Sequence, residues 1–221
     1  MKMEISIKTI PQSTDKLYDQ LVDVAQEAAN TVHEWFGFTV KLLEIEVYTS
    51  RSLWIEQHTR LNEEELASWV AGDSGRIIRV VANGSEQHLL RMVAHECVHH
   101  IIHQYAETIP AWLDEGIAMH LLLELPQKYQ QELKQAINHN GLIPFDILEN
   151  PFSILDRALK DLAYAQSWIM VRYMSGEYGS QMLRELLLTL GRGESIDQAL
   201  RPWGVNMYLL EKNMIRHFTH Q

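Results

Sequence analysis

The sequence predicts an α+β fold: an N-terminal lobe with a small mixed sheet and helices, followed by a largely α-helical C-terminal lobe. Three observations carry that prediction. Two short segments near the N-terminus alternate apolar and polar residues, and a third stretch is rich in Ile and Val between turn residues. Apolar residues at three- and four-residue spacing fill 14–36. Beyond residue 85 the chain reads as helices separated by Gly and Pro.

The elements follow in order. Lys2–Thr9 places Met3, Ile5 and Ile7 on one face and Glu4, Ser6 and Lys8 on the other, a strand pattern. Leu17, Leu21, Val24, Ala28, Val32 and Trp35 form a helical stripe over 14–36 that Gly37 can stop. Leu43, Ile45 and Val47 alternate with Glu44, Glu46 and Tyr48, a second strand. Asn62 and Glu65 have capping-box spacing, so a short helix is expected there. Gly75–Ala82, bounded by Asp73-Ser74-Gly75 and Asn83-Gly84 turns, is the third strand. Residues 86–105 and Pro110 to about Leu125 are two helices, the second closed by Pro126. The remaining helices break at Asn140-Gly141, Pro151, Gly176–Gly179, Gly191–Gly193 and Pro202–Gly204. The expected organisation is thus three zones of one domain: 1–84, 85–125 and 126–221.

Composition narrows the function classes. The 221 residues carry 19 Lys and Arg against 29 Asp and Glu, a net charge of −10. That balance argues against nucleic acid or an anionic membrane as general partner. The single Cys97 cannot form an intramolecular disulfide. Glu4, Ser6 and Lys8 interrupt the apolar run that a signal peptide needs, and no apolar stretch approaches the ~18 residues of a bilayer span. A cytoplasmic globule is the expectation.

Residues 95–99 read His-Glu-Cys-Val-His, an HExxH pattern inside the helix expected over 86–105. Positions four apart on a helix lie about 40° from vertical alignment and about 6 Å apart along the axis. Two imidazoles so placed can converge on one tetrahedral zinc. Glu96 then sits beside the metal, where it can take a proton from bound water. With 11 His and 20 Glu in 221 residues, chance supplies about 0.05 such matches per chain. The flanking Met92, Val93, Ala94, Val98, Ile101 and Ile102 make this a largely buried helix, where histidines need partners.

A zinc enzyme also needs a third ligand and an open fourth position. The metzincin pattern fails, because Ile102 and Tyr105 stand where its glycine and histidine belong. Cys97 is turned roughly 160–200° from either histidine and reads as a small core residue. His103 continues the stripe, but about 12 Å along the axis separates it from His95, too far to converge comfortably. His100 is turned about 100° from His99 and is expected beside the ligands or in solvent. In the next helix both Asp114 and Glu115 have apolar neighbours, and periodicity does not choose between them.

HECVHH followed by PAWLDEGIA resembles the gluzincin metallopeptidases, specifically small proteins with a peptidase MA-like domain. The resemblance implies a zincin-like fold whose active-site helix carries HExxH. It implies zinc held by His95, His99 and Glu115, with Glu96 as general base. The His99–Glu115 gap is shorter than in the large thermolysin- and aminopeptidase-type relatives. Tyr164-Ala-Gln-Ser-Trp, Arg172-Tyr-Met and Glu177-Tyr-Gly look like the long helix after the site, and Gly193–Leu200 is similar to the family's tail. By the same resemblance Tyr164 is the candidate to polarise the oxyanion; an aromatic core role is the competing reading. The strand Gly75–Ala82 occupies the place of a substrate-pairing edge, though it fits ordinary sheet core equally well.

The expectation is a zinc-dependent metallopeptidase acting on peptide or protein substrates. Two alternatives stand beside it. One is a catalytically silent zinc-binding regulatory or interaction protein on a peptidase scaffold. The other is a self-inhibited enzyme in which His217 or His220 fills the open zinc position. His33, His58, His88, His120 and His139 read as surface or packing residues, and Trp112 as a wall beside Glu115.

Overall fold

A computed structural model describes residues 4–11, 14–50, 52, 54–55, 71–73, 77–82, 85–122, 127–139 and 141–219. It has the α+β layout. The chain divides into two compact units, Met1–Ile101 and Ile102–Gln221.

The first unit holds four described strands: β1 (Glu4–Ile10), β2 (Leu42–Tyr48), β3 (Ala71–Asp73) and β4 (Ile77–Val81), in the order β1-β2-β4-β3. β1, β2 and β4 run parallel, and β3 pairs antiparallel with β4. The sheet is therefore mixed. Alternation works as expected on β2, where Leu43, Ile45 and Val47 are buried. The register sets Lys8, Glu46 and Arg79 in a row across three strands. Glu46 bonds Lys8 at 3.3 Å and Arg79 at 2.9 Å. Burial raises the Glu46 pKa, but these two cations outweigh it and hold the carboxyl below its ordinary value.

Tyr48 departs from the alternation that assigned it to the polar face. It is buried, edge-on to Trp54 at 5.1 Å and clustered with Val81. An aromatic at a strand end can turn its ring under the sheet, and period-two reasoning ignores that freedom. β3 had no sequence signal of its own, because three residues are too few to show a period. The helix expected at Asn62–Glu65 and the start of the strand at Gly75 lie outside the described residues.

Helix α1 (Asp15–Phe36) begins where the Thr14 side chain accepts from the Leu17 amide. It ends at Gly37, whose φ of +69° suits glycine, with its amide donating to the His33 carbonyl at 2.7 Å. Helix α2 (Glu86–His103) carries the HExxH segment and runs through the division between the units.

The second unit is helical. Its elements are α3 (Ala111–Leu122), α4 (Gln127–Asn138), α5 (Phe145–Leu148), α6 (Arg157–Tyr178), α7 (Ser180–Leu190), α8 (Ile196–Leu200) and α9 (Met207–Thr219). Most of the expected breaks fall between these helices. Gly176 is the exception: it lies within α6, which stops only at Gly179. Pro126 and Asn140 lie outside the described residues.

The most extensive helix contact in this unit is α3 on α6, and sequence explains how close it is. A Cβ built on Gly116 would sit 2.5 Å from the Ser167 carbonyl oxygen and 2.7 Å from Val171 Cγ2. Only glycine lets the two backbones approach this way. From α6, the buried Gln166 accepts from the Ile143 amide at 2.9 Å and donates to its carbonyl at 2.7 Å. That pins the segment before α5 with both backbone groups satisfied. The Ser167 hydroxyl donates to the Ala163 carbonyl at 2.8 Å.

Gly116→Ala is expected to destabilise the protein by about 1–3 kcal/mol, because backbone rather than a flexible side chain stands in the way. Equilibrium chemical denaturation measures it. An unchanged midpoint would mean that α3 and α6 are not packed this tightly.

Candidate metal centre

On α2, His95 and His99 stand one turn apart with Nε2 atoms 2.9 Å from each other and ring planes at 81°. His99 is buried, and His95 and Glu96 are partly buried. Helical spacing brings the pair together: four residues are a little over one turn, so both rings reach the same side. Glu96 belongs to the adjacent strip of that helix.

Two groups of side chains among the described residues could hold a metal. In the first, the ligand atoms of His95, His99 and Glu115 all lie within 4.8 Å of one another. In the second, the same holds for His99, His103 and Asp114. Glu115 comes from the first turns of α3, and its neighbour Gly116 is the contact point with α6.

The two carboxylates of α3 are thereby distinguished. Asp114 Oδ2 lies 2.8 Å from His103 Nε2, within hydrogen-bonding distance, and Glu115 joins the His95–His99 group. Adjacent helical positions differ by about 100°, so one helix presents its two acids in different directions. His103 is not in the group with His95, in keeping with their axial separation.

Cys97 is fully buried and belongs to neither group. Burial, and then the Glu96 carboxylate, push its thiol above the ordinary range, so it stays a neutral core side chain. His100 is buried at 4% exposure, which removes the solvent-exposed reading. Trp112 is fully buried with its ring edge-on to Phe145 at 5.3 Å. It is a core residue of the second unit rather than a pocket wall, because its large apolar ring is used in anchoring α3 to α5.

Tyr164 is partly buried on α6, its ring edge-on to Phe152 at 5.2 Å. His217, on α9, packs against Tyr173 and has Nδ1 3.7 Å from Glu177. It is absent from both groups, and His220 lies outside the described residues, as does His58. His33, His88 and His139 are exposed, as expected.

The family model described as the peptidase MA superfamily matches residues 24–218. The chain belongs to the peptidase MA superfamily. Comparison with curated proteins finds no match. The superfamily match runs from within α1 into α9 and so includes both the HExxH helix and the helix that carries Glu115. Members of the peptidase MA superfamily are typically metal-dependent, which agrees with a chain whose His and Glu side chains gather at metal-ligand spacing. Among the described residues, no helix is long and apolar enough to cross a membrane.

Sequence reasoning missed two polar links of α3. One is the Asp114–His103 pair. The other is His120, whose Nε2 meets Ser175 Oγ on α6 at 3.1 Å, while that hydroxyl donates to the Arg172 carbonyl at 3.0 Å. Spacing could not reveal either, since each joins separate elements.

Burial, and then the Arg172 charge, lower the His120 pKa from its ordinary 6.5. The folded state therefore binds this proton less readily than the unfolded chain. The contribution to stability is complete above pH 6.5 and is lost as pH falls from there through the folded value. Wild type should accordingly lose more thermal stability than His120→Gln between neutral and mildly acidic pH. Parallel losses in the two proteins would count against it.

Proposed function

We propose that this member of the peptidase MA superfamily is a zinc-dependent metallopeptidase of gluzincin type. The observation that carries the reading is the gathering of His95, His99 and Glu115 ligand atoms within 4.8 Å, in a chain matched to the superfamily over residues 24–218. The donor chemistry fits zinc: two imidazole nitrogens and one carboxylate oxygen, with a fourth position left for water or substrate. Zn–N bonds of about 2.0–2.1 Å in a tetrahedron set two nitrogens roughly 3.3 Å apart. The His95–His99 separation of 2.9 Å needs only a few tenths of an ångström of opening.

In this reading His95, His99 and Glu115 are the ligands. Zinc held by them would supply a Lewis acid and lower the pKa of a bound water towards 7. Glu96 accepts the proton of the water that attacks the peptide carbonyl, then delivers that proton to the leaving amine. Its place between the two histidines in sequence sets it on the next strip of α2, beside the ligands rather than among them. Tyr164 is the proposed hydrogen-bond donor to the developing oxyanion. Peptides or proteins are the proposed substrates, nucleic acid and membrane are not proposed as partners, and the cytoplasm is the proposed location.

Glu96→Gln separates chemistry from binding. The variant should keep one zinc per chain while cleavage of a peptide library falls roughly a hundredfold to ten-thousandfold. Full activity in that variant would defeat the general-base assignment. Zinc bound without any cleavage product in wild type would favour the silent regulatory alternative.

Removing the metal with a chelator should abolish cleavage, and zinc should restore it. Cleavage that survives in protein shown by metal analysis to be zinc-free would rule out zinc dependence.

A further inference from the structure

We propose that His103 and Asp114, together with His99, form a second and weaker site for a divalent cation of the zinc type, filled when that ion is in excess. The ligand atoms of the three residues lie within 4.8 Å of one another. Two imidazoles and a carboxylate are the same donor set as in the His95–His99–Glu115 group, so the same class of ion suits both. Access is available: the His103 side chain is 39% exposed and that of Asp114 16%. The histidines recur every four residues along α2, so His99 stands between the two groups and is common to both.

Two features make this site the weaker. His103 Nε2 and Asp114 Oδ2 already meet at 2.8 Å. A cation entering there takes the place of the proton held between them, which must move to His103 Nδ1 or to solvent. His99 is also shared, and a neutral imidazole has one available lone pair, so an ion in the second group takes that ring from the first. An excess of the ion therefore acts on the first group through a ligand in common, without any long-range conformational change. The first-site reading enters only in deciding which group fills first.

The test is a competition titration of metal-free protein with Zn²⁺ against a chromophoric chelator. Wild type should take up two equivalents per chain, one tight and one weak. His103→Ala and Asp114→Asn should each lose the weak equivalent and keep the tight one. The second substitution is nearly isosteric and preserves a hydrogen-bonding group opposite His103, so it guards against misfolding; far-ultraviolet circular dichroism of the metal-free proteins checks the fold. Uptake of a single equivalent by wild type at every zinc concentration would overturn the proposal. So would retention of the weak equivalent in both variants. Glu115→Ala tests the other group separately. If it keeps the tight equivalent while His103→Ala loses the weak one, the second site stands and the first-site assignment fails.

Discussion

Two imidazole nitrogens 2.9 Å apart, on a helix whose following turn is buried, set the terms for everything else at this centre. The pairing is a consequence of helical pitch, since a shift of one residue would turn one ring by about 100°. With His99 buried and His95 partly so, the two imidazoles cannot both donate into the space between them, and a cation there would satisfy both lone pairs at once. The sequence His-Glu-Cys-Val-His builds that space from local geometry. Its usefulness then depends on a third side chain arriving from elsewhere.

The proposed third ligand, Glu115, lies on α3, and small-residue packing governs where α3 lies within its own unit. Gly116 allows the helix to settle against the Ser167 carbonyl and Val171 of α6. Trp112 meets Phe145 on the same helix, and His120 bonds Ser175 further along. Three contacts over nine residues leave α3 little freedom to rotate. The adjacent acids Asp114 and Glu115 therefore keep distinct surroundings: one faces His103 and the other joins His95 and His99. The glycine after Glu115 has a packing role that is independent of any chemistry.

Local pattern made much of this legible. Alternation found β1 and β2, Ile and Val between turn residues found β4, three- and four-residue spacing found α1, and glycine and proline marked most boundaries from α2 to α9. The HExxH spacing singled out His95, Glu96 and His99 because all three lie within little more than one turn of one helix. Choosing between Asp114 and Glu115 was beyond periodicity, since both have apolar neighbours at three and four residues. The choice depends on His103 and on the rotation of α3, which are tertiary facts. Tyr48 and Trp112 were misjudged for a related reason: an aromatic ring is placed by what it packs against, not by its position in a repeat. β3 escaped notice because its pairing with β4, rather than its composition, makes it a strand.

X-ray absorption at the zinc edge of protein loaded with one equivalent tests whether two histidines and one carboxylate hold the ion, with solvent in the remaining position. Two imidazoles at about 2.0–2.1 Å are expected, with oxygen donors completing the shell. A sulfur scatterer at about 2.3 Å, or a third imidazole, would contradict it by bringing Cys97 or His103 into the primary ligand set.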